Sequence, residues 1–515
     1  MNDNFKSQPR WRFDRPDLVS LTEEPKLTVD LFITCRNGQT KLDLTLAALV
    51  AQTYPTELLN VHVIDDGSSP KLVLPEIKPV NTSLHYFENT GKDWGKSRST
   101  NSVANKSKAD VLWFLDSDMV VDPEHLAQHM KWHHDSDDYV VLGWKRFVES
   151  WNYQPAELLA SLKAGKFAEL HAESESHGYW EARVKSSNGF KTNDLDNFRG
   201  LVGATFSIAN KNWSTLGGYN ENFITSEDTE LGWRVISQGL RLVPEPAANS
   251  WHLGLTTIEN NRDVILQHNN PLLAGHVPGL RHLRRKFGTQ WLVPENQYFV
   301  DCRNMSIDSF FTLIKPLLQD VQGQTHFTLL ANWPTLNERY SPISDDAKDL
   351  REIQRWTLGD NRFTFQIIAD DTFLSISEIL DFMEVKSSPY LFFSEGNFKN
   401  SVAITELKTS LQGSDNGLEG VVDHEDQRIF VVYGPALATA KRLPGSTYQN
   451  IELSWGLRWH ALDDYHPEAK PFLLKVAHAA RYMLRRFAQV RSFDQFIDLV
   501  KRGFIVYKGK IFKRK

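Results

Sequence analysis

The sequence predicts a mixed α/β protein built around a mostly parallel sheet. Two observations carry that reading: short apolar runs alternate with helix-forming stretches over the first 255 residues, and two of those runs end in paired acids. The composition, 41% hydrophobic and 24% charged, is that of a globular chain with an ordinary core. At 515 residues the chain has room for two or more domains.

Residues 1–27 are polar and read as an extended lead-in. Val29 to Gly38 reads as a strand entering a turn, and Leu42 to Gln52 has helical composition. A second strand, Leu59 to Ile64, closes on Asp65-Asp66-Gly67-Ser68, and a weaker one spans Leu84 to Phe87. The polar loop Asn89 to Arg98 leads through a helix to the run Val111-Leu112-Trp113-Phe114-Leu115, which ends on Asp116-Ser117-Asp118. A run that apolar reads as a strand buried on both faces, and ligands bind at the carboxyl ends of such strands. Alternation along extended chain points Asp116 and Asp118 to one side, where two convergent carboxylates call for a cation. The alternative is helix capping, which suits Asp122-Pro123-Glu124 but leaves Asp116 and Asp118 unused. Further on, Glu227, Asp228 and Glu230 open a helix, where acids also serve simply to complement the dipole. His252 follows Trp251, and a single histidine is commonly structural. Neither G-x-G-x-x-G after the first strand nor a P-loop is found, which argues against a dinucleotide dehydrogenase or a P-loop NTPase.

In their order and spacing, FITCRNG, VIDDGSS, NTGKDWGKSRSTN, FLDSD, FRGLVGATFSIAN, LGGYNENF, SEDTELGWR and SWHLG resemble the family 2 glycosyltransferases of GT-A fold, over about residues 27 to 255. The resemblance implies a nucleotide-sugar-binding catalytic domain at 28–255. It implies that Thr34 and Arg36 flank the uracil and ribose, with Asp65 on the base and Asp66 beside it. Arg98 and Ser117 would lie along the donor diphosphate, although Ser97-Arg98-Ser99-Thr100-Asn101 departs from the usual Ala-Arg-Asn. Asp116 and Asp118 would be the DxD pair for Mn²⁺ or Mg²⁺, with His252 as a third ligand. Asp228 would be the catalytic base, and Gly217, Gly218 and Glu227 would border sugar and acceptor. An oxygen-rich site with one histidine suits Mn²⁺ or Mg²⁺ better than Zn²⁺.

Residues 256–305 read as a linker or lid, because Arg281 to Lys286 is a basic run able to meet phosphate; a solvated helix face explains it equally. From 306 to 465 the pattern begins again. Thr325 to Trp333 stands for the first strand, Phe363 to Asp371 for the strand ending in two acids, and Ser388 to Asn397 for the DxD strand. With Ser394-Glu395-Gly396 in place of the acidic pair, this second GT-A-like domain is expected to be degenerate, serving acceptor binding or homo-oligomer formation. An unrelated α/β domain is the competing reading.

The net charge of −6 is uneven: residues 470–515 carry +11 and the preceding 469 carry −17. That excludes a general nucleic-acid binder and sets the tail 466–515 apart. Its apolar residues recur at helical spacing, as in a helix lying on an anionic membrane or in a terminal helix pair. No stretch is apolar enough to span a bilayer, and the first residues lack a signal-peptide core, so a cytoplasmic protein is expected, seated peripherally on the inner membrane face if the tail binds lipid. The two cysteines, Cys35 and Cys302, form neither a disulfide framework nor a zinc spacing.

The expected activity is metal-dependent, inverting transfer from a nucleotide sugar, UDP-linked, to a glycan or lipid-linked acceptor in bacterial surface-polysaccharide synthesis. The rivals are a silent glycan-binding scaffold, which intact acids at 116, 118 and 228 argue against, and a sugar nucleotidyltransferase, for which FITCRNGQTK lacks the required Gly-rich basic loop.

Overall fold

The computed structural model describes residues 17–21, 24–88, 96–148, 153–170, 174–192, 194–254, 262–284, 291–318, 325–369, 374–385, 387–395, 401–423 and 426–461. The lead-in 1–16, the loop 89–95, Arg285, Lys286, Asp370, Asp371, Gly396, Asn397 and the basic tail 466–515 lie outside these residues. Residues 1–459 form one compact unit that holds two sheets, and residues 460–515 form another.

Nine strands form the first sheet: β1 Val29–Cys35, β2 Leu59–Asp65, β3 Thr82–Tyr86, β4 Val111–Leu115, β5 Met119–Val121, β6 Tyr139–Val148, β7 Glu175–Ser176, β8 Thr205–Ala209 and β9 Arg241–Leu253. They run in the order β3-β2-β1-β4-β8-β6-β9-β5, with β7 on β6. The first four are parallel, as alternation with helices predicts. β8 is antiparallel to both β4 and β6, so the sheet is mixed beyond its centre. All five residues of β4 are buried, which is why its sequence is uniformly apolar and why its first polar residues, Asp116 and Ser117, fall at the strand's exit.

The second sheet contains β10 Asn296–Asp301, β11 Thr325–Ala331, β12 Phe363–Ile367, β13 Tyr390–Ser394, β14 Leu418–Val422, β15 Arg428–Tyr433 and β16 Leu457–Ala461. Their order, β12-β11-β10-β13-β15-β14-β16, repeats the path of the first sheet. The register repeats as well. Val29 pairs with Leu59 and Val111, and Asn296 with Thr325 and Tyr390, which puts Cys302-Arg303-Asn304 in the place of Cys35-Arg36-Asn37. The chain's two cysteines are thus the same position of two repeats, both buried.

This register corrects two expectations. The repeat starts at β10, inside the segment 256–305 read as a linker, so Thr325–Ala331 is its second strand and Phe363–Ile367 its third. In the described part of the basic run, Arg281–Arg284, charge is used inside the fold. Arg284 is buried and donates to the carbonyls of Ala274 (2.8 Å) and Val293 (2.7 Å), while Arg281 pairs with Glu295. Those backbone acceptors pin the end of the helix Arg262–His276 to the strand lead-in, a structural use of charge that spacing alone does not reveal.

The two domains meet along the helix Glu227–Ser237. Trp233 Nε1 donates to Ser387 O at 3.2 Å, and Gln238 Nε2 to Val385 O at 3.4 Å. Just beyond, Gly239 has φ +72°, and a Cβ there would sit 2.1 Å from Thr439 Oγ1, so only glycine fits this crossing.

Candidate active site

The exits of β1, β2 and β4 open on one crevice. Asp116 leaves β4 with its amide bonded to Ala204 O at 2.9 Å. The short strand β5 then turns back along the end of β9, pairing Met119 with His252 and laying the histidine beside the acids. Asp116, Asp118 and His252 each place one ligand atom within 4.8 Å of the others. His252 Nδ1 lies 2.7 Å from Gly254 O; a carbonyl only accepts, so the ring proton sits on Nδ1 and the Nε2 lone pair faces Asp118 Oδ1, 3.4 Å away. A hard divalent cation fits this set of two carboxylates and one imidazole.

Two lysines stand on the same carboxylates. Lys96 Nζ is 2.9 Å from Asp116 Oδ1 and Lys41 Nζ is 3.2 Å from Asp118 Oδ2. Burial alone would raise the Asp116 pKa, but the Lys96 ammonium holds it below the ordinary carboxylate value. Burial likewise opposes charge on Lys96, yet Asp116 and Glu227 keep its ammonium well above the usual lysine value. Lys96 also reaches Glu227 Oε1 at 3.7 Å. Glu227 is pushed up to about 7 by burial, with Asp228 adding to the shift and Lys96 opposing it.

Asp228 is tied to the acidic pair through the backbone ahead of β8. Its Oδ2 accepts from Gly203 N at 3.1 Å, and the neighbouring Ala204 carbonyl is the one that Asp116 engages. Its Oδ1 accepts from Thr229 N at 2.6 Å, so the carboxylate is fixed in direction. A Cβ on Gly203 would touch both Asp228 Oδ2 (3.7 Å) and Lys96 Nζ (3.8 Å), which places Asp228 and Lys96 around one glycine. Ser226, which caps this helix, is a non-glycine residue at φ +66°, a strained conformation. Asn269 holds it, donating to Ser226 Oγ at 2.9 Å and Thr225 Oγ1 at 2.6 Å.

At the exit of β1, Thr34 Oγ1 bonds Thr100 Oγ1 at 2.7 Å, and Arg36 is exposed just past the strand. Asp65 is buried, each oxygen accepting one amide of the loop that follows, from Ser68 (2.7 Å) and Leu72 (2.9 Å). Asp66 is buried next to it. Arg98 is half-buried on the helix Lys96–Ala104, and Ser117 O accepts from Thr45 Oγ1 at 2.9 Å. Gly217 and Gly218 have φ of +77° and +75°. A Cβ on Gly218 would come within 2.7 Å of Asn101 Oδ1, so the turn is built for close approach to that helix. Lys41, Lys96 and Gly203 are the site residues that sequence reading missed. Lysines are common, and four flexible carbons hide which acid a given one reaches. The only signal was the position of Lys96, two residues before Arg98.

Residues 30–188 match the family model for Glycosyl transferase family 2. Over that stretch the chain is similar to glycosyltransferase family 2. The family-matched stretch contains Thr34, Arg36, Asp65, Asp66, Arg98 and the Asp116–Asp118 turn, whereas Gly217, Gly218, Glu227, Asp228 and His252 lie beyond it. The chain is 28% identical over 259 residues to a probable glycosyltransferase, YdaM, of Bacillus subtilis, covering 47% of this chain and 53% of that protein. It is 23% identical over 250 residues to the poly-beta-1,6-N-acetyl-D-glucosamine synthase of Staphylococcus aureus, covering 47% and 55%. The chain spans about half the length of these curated relatives. Among solved structures, a mannosyltransferase from Pyrobaculum calidifontis in complex with GDP-Man and Mn²⁺ aligns at 15% identity and TM-score 0.33, over 54% of this chain and 70% of that one. Among the described residues no helix is long and apolar enough to cross a membrane.

Proposed function

We propose that the first domain is a metal-dependent, inverting glycosyltransferase that moves a sugar from a UDP-linked donor to a hydroxyl of a glycan or lipid-linked acceptor in bacterial surface-polysaccharide synthesis. The observation that carries this reading is the convergence of Asp116, Asp118 and His252 at the exit of β4, with Asp228 fixed one strand away. Asp116, Asp118 and His252 would hold Mn²⁺ or Mg²⁺, which when bound supplies Lewis-acid stabilisation to the leaving diphosphate. Thr34, Arg36, Asp65 and Asp66 bind and orient the nucleoside; Arg98 and Ser117 border its phosphates. Asp228 accepts the proton of the acceptor hydroxyl as that oxygen bonds to the anomeric carbon and the bond to diphosphate breaks. Gly217, Gly218 and Glu227 shape the acceptor side. A single displacement inverts the anomeric centre. The relative named as a poly-beta-1,6-N-acetyl-D-glucosamine synthase supports a glycan acceptor, and the +11 charge of residues 470–515 supports a cytoplasmic, peripheral seat on an anionic membrane.

The test is a donor screen: protein with Mn²⁺ and UDP-, GDP- and TDP-sugars, reading metal-dependent release of nucleotide beside Asp116→Ala and Asp228→Asn. Hydrolysis of one donor, lost in Asp116→Ala, is expected. Absence of both hydrolysis and metal-dependent donor binding by calorimetry would overturn the reading and favour a scaffold.

A further inference from the structure

The second domain has kept the fold of the first but has closed its own crevice. Glu395 occupies the place of Asp116: its amide bonds to Arg428 O at 3.0 Å, as that of Asp116 bonds to Ala204 O. Where the first domain has alanine, Arg428 folds over and grips the Glu395 carboxylate, its Nε at 2.8 Å from Oε1. At the end of β10, Arg303 likewise turns onto Asp301, NH2 to Oδ2 at 2.8 Å. Among the described residues, the positions matching Thr34, Arg36 and Asp116 are thus spent on ion pairs of their own.

A cavity of about 300 Å³ lies at its junction with the first domain. One wall is the turn Leu216 to Asn220; the others come from Glu230, Arg234, His276, Val293 and, from the second domain, Ser387. That volume is at the small end of ligand pockets. Its floor is rigid and internally neutralised. Arg234 clamps Glu230 (NH2 to Oε2, 2.6 Å) and with NH1 holds the carbonyls of Leu216 (2.6 Å) and Gly218 (2.8 Å). The groups left to face a ligand are the Asn220 amide nitrogen, its oxygen being engaged by Asn222, the His276 imidazole, whose charged form burial disfavours, and the Ser387 hydroxyl. Ser387 sits at φ +62°, a strained conformation for serine, and its carbonyl is bonded to Trp233. Neutral donors and acceptors around a cavity with no net charge match a polyhydroxylated, uncharged ligand better than a phosphate or an acid. Between the cavity and Asp116 stands a buried core pair, Tyr219, which lines the cavity, packed on Phe114, which lies two residues before Asp116.

We propose that this cavity is an acceptor subsite that takes one or two neutral sugar residues of a glycan chain, and that the second domain is retained to complete it. The inference rests on the glycosyltransferase reading of the first domain. Full-length protein with Mn²⁺ and UDP would be titrated with cellotetraose, chitotetraose and mannotetraose, and with Asn220→Ala, His276→Ala and Ser387→Gly in the same assay. Glycine relieves the strain at 387, so this variant is expected to fold at least as well as the parent while losing the hydroxyl. Expected is saturable binding of at least one neutral tetrasaccharide, weakened about tenfold by Asn220→Ala or His276→Ala and severalfold by Ser387→Gly, with Mn²⁺-dependent UDP binding unchanged. Glycan binding indifferent to all three variants overturns the subsite. So does UDP binding with no tetrasaccharide binding at all. Loss of UDP binding in the parent protein would instead strike at the glycosyltransferase reading itself.

Discussion

Lys96 Nζ lies 2.9 Å from Asp116 Oδ1, so an ammonium from the first residue of the helix ahead of β4 already sits on a carboxylate that the metal would use. Ammonium and metal compete for that oxygen. Lys96→Met should therefore tighten Mn²⁺ binding to the donor-free protein by about tenfold, since a charge-assisted contact no longer has to be displaced. Electron paramagnetic resonance of free Mn²⁺ reads this directly, and weaker binding in the variant would show that Lys96 organises the acids instead of opposing the cation.

The imidazole is the third arm of the same site, and its tautomer is set by Gly254 O at 2.7 Å. His252→Ala should weaken Mn²⁺ binding by about 10- to 100-fold while leaving the fold intact, because His252 packs at the rim of β9 against Phe147. Asp116→Ala should remove binding altogether. The second domain has spent Glu395 on Arg428, so total Mn²⁺ stoichiometry should be one per chain. A second equivalent surviving in Asp116→Ala would refute that.

Part of this arrangement was legible in the sequence. The DSD turn stands at the exit of a buried apolar strand, as the run Val111 to Leu115 predicts, and His252 lies beside it; nothing in the spacing told that histidine from a structural one, or Asp228 from an acid that only complements a helix dipole. The repeat was legible in part. Its first strand was hidden because Glu295, Asn296 and Gln297 look like a solvated linker, whereas all three are buried. Lys408 Nζ meets Glu295 Oε1 at 2.9 Å and Asn296 Oδ1 at 2.6 Å, a partner more than a hundred residues away that composition does not show. The echo of Cys35-Arg36-Asn37 in Cys302-Arg303-Asn304 was the available signal.

Glu227 and Asp228 are adjacent acids in different surroundings, and they should separate in a pH profile. Asp228 is the proposed base, so Asp228→Asn should lower kcat by about 10²- to 10⁴-fold at all pH values. Glu227 is held up to about 7 by burial, so the parent should show an inflection near pH 7 that Glu227→Gln removes. If Glu227→Gln abolishes turnover and Asp228→Asn spares it, the two roles are exchanged.

The crossing of Gly239 on Thr439 predicts how the domains are held. Gly239→Ala asks a side chain to adopt φ +72° and to enter space occupied by Thr439 Oγ1, so a loss of about 2 to 4 kcal/mol is expected. Chemical unfolding of this variant should show that loss. Unchanged stability would mean that the helix Gly434–Arg442 is free to retreat.

Three histidines on the helix His125–Asp135 set the acid limit of the fold. His125, His129 and His133 are buried against β8, where His125 Nε2 meets Thr205 Oγ1 (2.9 Å) and Ser207 Oγ bridges His129 Nδ1 and His133 Nε2 (2.8 Å each). Burial lowers His125 to about 4 and His133 to about 3, and His129 lies well below its ordinary value. The unfolded chain takes up these protons from about pH 6.5 downward while the folded chain does not, so stability is intact above 6.5 and falls as pH drops toward 4. For His125 alone the loss at pH 4 is on the order of 3 kcal/mol. Urea midpoints should fall steadily from pH 7 to pH 5, and His133→Phe, which cannot take up a proton, should flatten that slope. A slope unaltered by that change would place the acid sensitivity in the buried carboxylates instead.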